Sequence, residues 1–262
     1  MDHLLIDENH FPTPSLIFLF DLMGITHDYS LKSMIRATQQ KWLQPCKECW
    51  HFDPREEHRM GYIFPFLQKI GCVDAVYAKE QQYDYALVLG GYYTFMQSRL
   101  KTLVNEWEKG VRFRRLVFLT GERFLDPHTE APLFHFTSKQ TEAELMLYLW
   151  EKHVASSALK GLPFTLVDTP GSKDKEGNWL RPTTKDTLLK WLSYTPKPGK
   201  YLCISSQPFI GYQHSVLSTY LPKDFLVETI GASTEKDFPL SVYLDNLARW
   251  LYQEAQKDLL HN

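Results

Sequence analysis

From residue 83 onward the chain alternates short apolar runs with stretches of helical spacing, five times over. The runs are Tyr85–Leu89, Leu116–Leu119, Phe164–Val167, Tyr201–Ile204 and Phe225–Ile230. Between and after them, apolar residues recur on one face of a helix. Met96, Leu100, Leu103, Val104 and Trp107 form one such stripe, and Phe209, Gln213, Val216, Leu217 and Tyr220 a second. Leu240, Tyr243, Leu244, Leu247, Ala248 and Leu251 form the cleanest. A hairpin needs only a short turn, whereas a helix-length connection returns the chain to the same end of the sheet. The pattern therefore predicts an α/β fold with a five-stranded parallel sheet and helices on both faces. Glu228 inside the last run predicts that this strand lies at an edge.

Residues 1–82 lack this rhythm and read as a mainly helical N-terminal extension packed on the core, with 83–262 as the α/β domain. Leu31, Met34, Ile35, Trp42 and Leu43 make a helical stripe begun near Asp28 or Ser30 and stopped by Pro45. A second helical piece is expected from about Arg55 to Ile70, interrupted by Pro65 and ended by Gly71.

Charge limits the partners. Lys and Arg number 29 against 31 Asp and Glu. That near-balance argues against a nucleic-acid binder, which needs clustered phosphate-neutralising cations. The longest early apolar run, Leu16 to Phe20, falls far short of the ~20 residues a membrane span requires. With Asp2, Asp7 and Glu8 near the start, no signal peptide is expected, and the reading is a cytoplasmic protein with no membrane partner. Aromatic residues make up 14% of the chain, which points to stacking surfaces or a well-filled core. Cys46-x-x-Cys49 with His51 is half a metal motif. Its second pair is missing, with only Cys72 and His58 nearby, so no metal site is expected.

In open parallel sheets, ligands sit at the carboxyl ends of the strands. That rule selects Gly90 and Gly91, Thr120 to Arg123, Asp168 to Gly171, Ser205 to Pro208, and Gly231. The connections 121–138 and 169–183 are long for this architecture, which favours a functional role. Arg99 falls at the flank of its helix's apolar face and leans back toward the strand ends. There it meets either an anionic ligand or a structural ion pair. Thr141 and Glu144 have capping-box spacing, while Glu142 falls on the inward face and reads as a base or ligand contact. Arg181 precedes a threonine-rich helix start, with Thr183 or Thr184 as the cap and Thr187 one turn on. That turn reads as an anion site or as capping alone. Ser205 and Ser206 end the most apolar strand. Pro208 stands near the first position of the next helix. Gln213 puts a buried amide on that helix, so it braces the loop or touches a ligand. Neither GxGxxG nor GxSxG is present, which weakens the dinucleotide-binding and serine-hydrolase readings.

The order of these pieces resembles the SanA/YdcF-like family. The resemblance runs through Tyr85-Ala86-Leu87-Val88-Leu89-Gly90-Gly91, Arg99, Leu119-Thr120-Gly121, Thr141-Glu142, Thr184 to Thr187 and Ile204-Ser205-Ser206, and covers about residues 83–231. It implies a Rossmann-like three-layer sandwich with a polar pocket at the strand ends. Family members often carry a His and an Arg shortly after the last Ser or Thr. Here Gln207-Pro208-Phe209-Ile210-Gly211-Tyr212-Gln213 stands instead.

The resulting expectation is an enzyme, a hydrolase or transferase, acting on an anionic small-molecule ligand with a phosphate- or nucleotide-like group; no cofactor is named. Arg99 and Arg181 would hold the anion, with Gly90, Gly91, Thr120, Gly121, Thr184, Thr187 and Ser205 around it. Glu142 or Asp168 would act as general base or orient a water, and Ser206, Gln207 and Gln213 would fix orientation. The rivals are a non-catalytic binding or regulatory protein using the same pocket, and an interaction protein acting through residues 1–82.

Overall fold

The computed structural model describes residues 5–44, 52–126, 128–130, 140–154, 157–234 and 238–261. In chain order the helices are α1 (Pro14–Leu22), α2 (Leu31–Lys41), α3 (Met60–Lys69), α4 (Tyr93–Glu108), α5 (Glu142–His153), α6 (Ser157–Lys160), α7 (Thr184–Leu192), α8 (Ile210–Tyr220) and α9 (Leu240–His261). The strands are β1 (Gln82–Leu89), β2 (Arg112–Gly121), β3 (Phe164–Thr169), β4 (Ser172–Lys173), β5 (Trp179–Leu180), β6 (Gly199–Ser206) and β7 (Phe225–Ala232).

Five strands, in the order β3-β2-β1-β6-β7, form one sheet in which every neighbouring pair is parallel. All five predicted runs lie in it, so the fold is α/β with a Rossmann-like parallel sheet. β7 is an edge strand, as Glu228 foretold, and its carboxylate accepts hydrogen bonds from Lys79 N and the Tyr83 hydroxyl. Side chains alternate across a strand, so each strand serves two layers. Ala86, Val88, Leu116, Phe118, Leu202 and Ile204 point toward α4 and α5, where Met96, Leu100, Leu103, Leu145 and Leu149 complete the core. Tyr85 and Tyr201, of the opposite parity, meet Trp191 of α7 instead. Helices thus cover both faces.

By their contacts the described residues fall into two units. One contains the sheet with α4 to α7, from 76–206 and 220–232. The other gathers 1–75 with 207–219 and 233–262. In it, Leu16, Leu19 and Phe20 of α1, Ile63 and Leu67 of α3, and Tyr243, Leu247 and Leu251 of α9 form a separate buried cluster. Burial of side chains of this size contributes about 1.5–3 kcal/mol each.

Local signals explain most boundaries. Ser30 caps α2, accepting from Ser33 N, and Asp28 accepts from Ser30 in turn. α3 departs from expectation. It begins at Met60, after a 3-10 turn at Glu57–Arg59, and runs through Pro65 without a break. The proline removes one backbone donor, but Ile63 and Leu67 on either side stay buried and hold the helix together. α8 starts at Ile210, two positions beyond Pro208. The 169–183 connection contains the two-stranded antiparallel ribbon β4–β5.

Candidate functional site

The strand order reverses at β1, whose neighbours are β2 and β6. Such a reversal opens a crevice at the carboxyl edge, because successive connections leave the sheet in opposite directions. Register puts the relevant residues in one row. Thr120 pairs with Asp168 and Ser206 with Ala232. Leu89 pairs with Leu119 and Val88 with Ile204, so Gly90 comes level with Thr120 and Ser206.

Arg99 lies at the end of β1, on this row. It is 2% exposed. Its Nη1 donates to the carbonyl oxygens of Leu89, at 3.1 Å, and of Gly90. Its Nε is buried with no hydrogen-bond partner. Among the described residues it forms no ion pair. Burial pushes its pKa down to about 10, partly offset by Cys203 and Glu142, so it stays cationic at neutral pH. A helical arginine reaches the end of β1 because its side chain leans toward the helix N-terminus.

Beside it stands a buried ionic group. Arg123 Nε donates to Glu142 Oε2 at 3.0 Å, and its Nη1 and Nη2 donate to Glu130 at 2.6 and 3.0 Å. Nη2 also donates to Gly91 O. Glu130 further accepts from the backbone N–H groups of Tyr93 and Asp126. Glu142 Oε1 accepts from Gly121 N at 3.2 Å. Desolvation raises the Glu142 pKa, opposed by Arg123, Gly121 and Arg181. Gly90 has no room for a side chain, because a Cβ there would overlap Glu142 Oε1 and press on Leu119 O. Two Arg and two Glu cancel in charge, and the exposed Arg181 adds a positive group whose field reaches Glu142.

Glu142 is held in place by its helix start. Thr141 accepts from Glu144 N while the Glu144 carboxylate accepts from Thr141 N, the predicted capping box. Thr141→Ala is expected to cost about 1 kcal/mol, a typical N-cap loss, measured by urea unfolding. A loss under a few tenths would mean that tertiary packing alone fixes the start of α5.

The other predicted residues divide. Gly90, Gly91, Arg99, Gly121 and Glu142 come together, with Arg181 near. Pro182 packs on Gly121 and brings the start of α7 to the same edge. The Thr120 hydroxyl is committed to Val167 O, and that of Thr187 to Thr184 O. Thr183, not Thr184, is the cap, and the Asp186 carboxylate already accepts from Thr183 N and Oγ1. The α7 terminus is thereby satisfied by its own side chains. Ser205 is buried, and Ser206 Oγ and Thr169 Oγ1 are buried without hydrogen-bond partners. Asp168 is exposed, and burial together with Glu122 and Glu144 raises its pKa. Gln207 and Gln213 belong to the other unit, where the Gln207 amide donates to the carbonyls of Gly71 and Asp74.

Arg123 and Glu130 were not singled out from sequence. Arg123 lies inside the selected 120–123 turn, but nothing local marks its partner seven residues on. Of the cysteine group, Cys46, Cys49 and His51 lie outside the described residues. Cys72 is sealed in the core of the unit that gathers residues 1–75, its thiol pushed up to about 12 by burial. Among the described residues no helix is long and apolar enough to cross a membrane.

Fold and site together define a parallel α/β protein with a buried arginine–carboxylate cluster at its strand-order reversal. No protein-family model, no curated protein and no solved structure matches the chain.

Proposed function

We propose that the crevice at the β1–β6 reversal binds the phosphate-like anion of a small molecule, and that the protein acts on that molecule as a hydrolase or transferase. One observation carries the reading. Arg99 is a buried cation with no carboxylate partner among the described residues, and its Nε has no hydrogen bond. Glu142 offsets part of this charge through space, but no carboxylate among the described residues contacts the guanidinium. A buried cation without a direct partner is costly, which supports an anion at this edge. Arg181 places a further cation near Glu142. Ser206 offers an unused hydroxyl on the same row. Glu142 is the proton-handling group, its pKa raised by burial in the direction that general acid–base chemistry needs. Asp168, whose pKa is raised as well, is exposed and lies outside the buried cluster, which makes it the less suitable base. The motif order described above supports the same reading. It resembles the SanA/YdcF-like pattern, and membership of that family in a cytoplasmic form is part of the proposal.

The test is thermal unfolding with millimolar phosphate and pyrophosphate. At ten times Kd, mass action adds about 1.4 kcal/mol, about 3–6 °C in Tm for a chain of this size. Arg99→Met is expected to stay folded and lose the shift. An unchanged shift in the variant, or none in the wild type, would overturn the reading. A second reading, binding without turnover, is favoured by one fact: both Glu142 oxygens already accept hydrogen bonds. Phosphate release from phosphorylated substrates separates the two.

A further inference from the structure

Among the described residues, the connections after β2 and β3 carry two large exposed aromatic side chains that the anion site does not use. Phe124 is 51% exposed and Trp179 46% exposed, and their ring centroids lie 6.4 Å apart with the planes tilted by 36°. This pair differs from the packed aromatics of the same unit. Tyr85, Tyr201 and Phe225 stack at 4.8 and 5.2 Å with planes tilted by only 13°. Leaving an indole half exposed forgoes the gain of burying it, and two neighbouring exposed rings form a patch, which is more informative than a single exposed apolar residue.

The placement is built, not incidental. Trp179 lies directly on Gly171, where a Cβ would penetrate the indole ring. Gly171 is itself fixed, because its N–H donates to Glu122 Oε2 at 2.9 Å. Glu122 N in turn donates to Thr169 O at 2.7 Å, at the end of β3. The indole therefore rests on backbone that is tied to the sheet edge, while nearly half of the residue faces solvent. Phe124 is anchored from the other side. It forms a backbone bridge with Thr141, the cap of the helix that carries Glu142.

Both aromatics are close in sequence to the cationic groups of the crevice. Phe124 follows Arg123, whose guanidinium grips Glu130 and Glu142. Trp179 precedes Arg181 by two positions, and the Arg181 charge acts on Glu142. The aromatic pair thus lies at the loops that also carry Arg123 and Arg181. That pairing fits a ligand with a charged group at one end and a flat ring at the other.

We infer that Phe124 and Trp179 form a stacking platform for a planar heterocyclic ring, so that the ligand class is a nucleoside phosphate. The inference rests on the anion-binding reading above and extends it from the phosphate to the base. Stacking on aromatic side chains tolerates many ring types, because every base presents a π-face. The platform therefore selects for a ring without selecting which base.

Four probes separate the platform from the anion site: inorganic phosphate, ribose 5-phosphate, adenosine and adenosine 5′-monophosphate. Binding is followed by calorimetry to the wild type and to Trp179→Ala, Phe124→Ala and Arg99→Met. Loss of a base–aromatic stack corresponds to a weakening of about tenfold or more. The nucleoside monophosphate is expected to bind at least tenfold more tightly than ribose 5-phosphate. Trp179→Ala and Phe124→Ala should reduce that advantage while leaving ribose 5-phosphate and inorganic phosphate unchanged. Equal affinity for the two phosphates in the wild type would overturn the platform and leave the anion site standing. So would an advantage that survives both aromatic substitutions. Adenosine binding that depends on Trp179, with no effect of Arg99→Met on any probe, would keep the platform and overturn the anion site. Absence of binding by all four probes would overturn both. Both aromatic residues are half exposed, so circular dichroism of the variants is expected to match the wild type.

Discussion

Arg123→Met is expected to destabilise the protein by about 3–5 kcal/mol, the loss seen when one partner of a buried ion pair is removed. The arginine holds Glu130, whose side chain is fully buried, and Glu142, whose side chain is 10% exposed. Without it, two carboxylates remain in a desolvated site. Glu130 keeps its bonds from Tyr93 and Asp126, and Glu142 keeps Gly121. Those neutral donors do not replace a cation. Against a typical total of about 5–15 kcal/mol, the loss is a large fraction. Urea unfolding checks it.

The pH dependence has a definite sign. Burial already raises the Glu142 pKa in the folded protein. A group so shifted favours folding while protonated and loses that contribution as pH rises through its folded pKa. Removing Arg123 takes away the charge that opposes this shift. The deficit of the variant is therefore expected to be smallest in mild acid and to grow toward neutral pH. The triple variant Arg123→Met, Glu130→Gln, Glu142→Gln should recover part of the loss. A pH-independent deficit below 1 kcal/mol would show that the cluster is solvated and its charges are screened.

Trp191→Ala is expected to cost a further large amount, about 3–5 kcal/mol for deleting a buried aromatic side chain. Trp191 is 3% exposed and meets Tyr85, Tyr201 and Phe225 edge-on, at 5.9, 5.3 and 6.5 Å. Those three rings run across β1, β6 and β7, so one indole docks α7 on three strands. The consequence extends to the site, because the start of α7 is what brings Pro182 against Gly121. Loosened docking should weaken phosphate binding along with stability. Trp191→Phe, which keeps edge contacts with part of the column, should lose much less of both. A Trp191→Ala variant with unfolding within 1 kcal/mol of the wild type would mean that Leu188 and the capping box alone hold α7.

The local elements were legible because they depend on spacing along the chain. Five apolar runs separated by helix-length segments admit little but a parallel sheet, and Glu228 in the last of them is tolerable only at an edge. The stripe from Leu240 to Leu251 is buried throughout, since its period matches the helix. The Thr141–Glu144 box formed because cap and acceptor lie within one turn. α1 escaped notice for the complementary reason. Its sequence, PSLIFLFDL, is apolar nearly all round and shows no stripe to read. The β4–β5 ribbon has two residues per strand, too few for any alternation to register.

Amino-acid sequence alone thus determined the sheet, its parallel sense, the edge position of the last strand and the set of loops that meet at its carboxyl end. It also placed Arg99 toward the strand ends, since helix geometry sends a flanking side chain that way. Whether that arginine would find a carboxylate was left open. Only the tertiary structure decided it: Glu142 is taken by Arg123, which also binds Glu130, and Arg99 is left to two backbone carbonyls. The grouping of α8 and α9 with the first 75 residues, apart from the sheet they follow in sequence, was decided there too. The physical reason is the same in both cases. Periodicity is a property of neighbouring residues and survives in a one-dimensional record. Which charge pairs with which, and which helix shares a core, depends on loop paths that bring distant residues together.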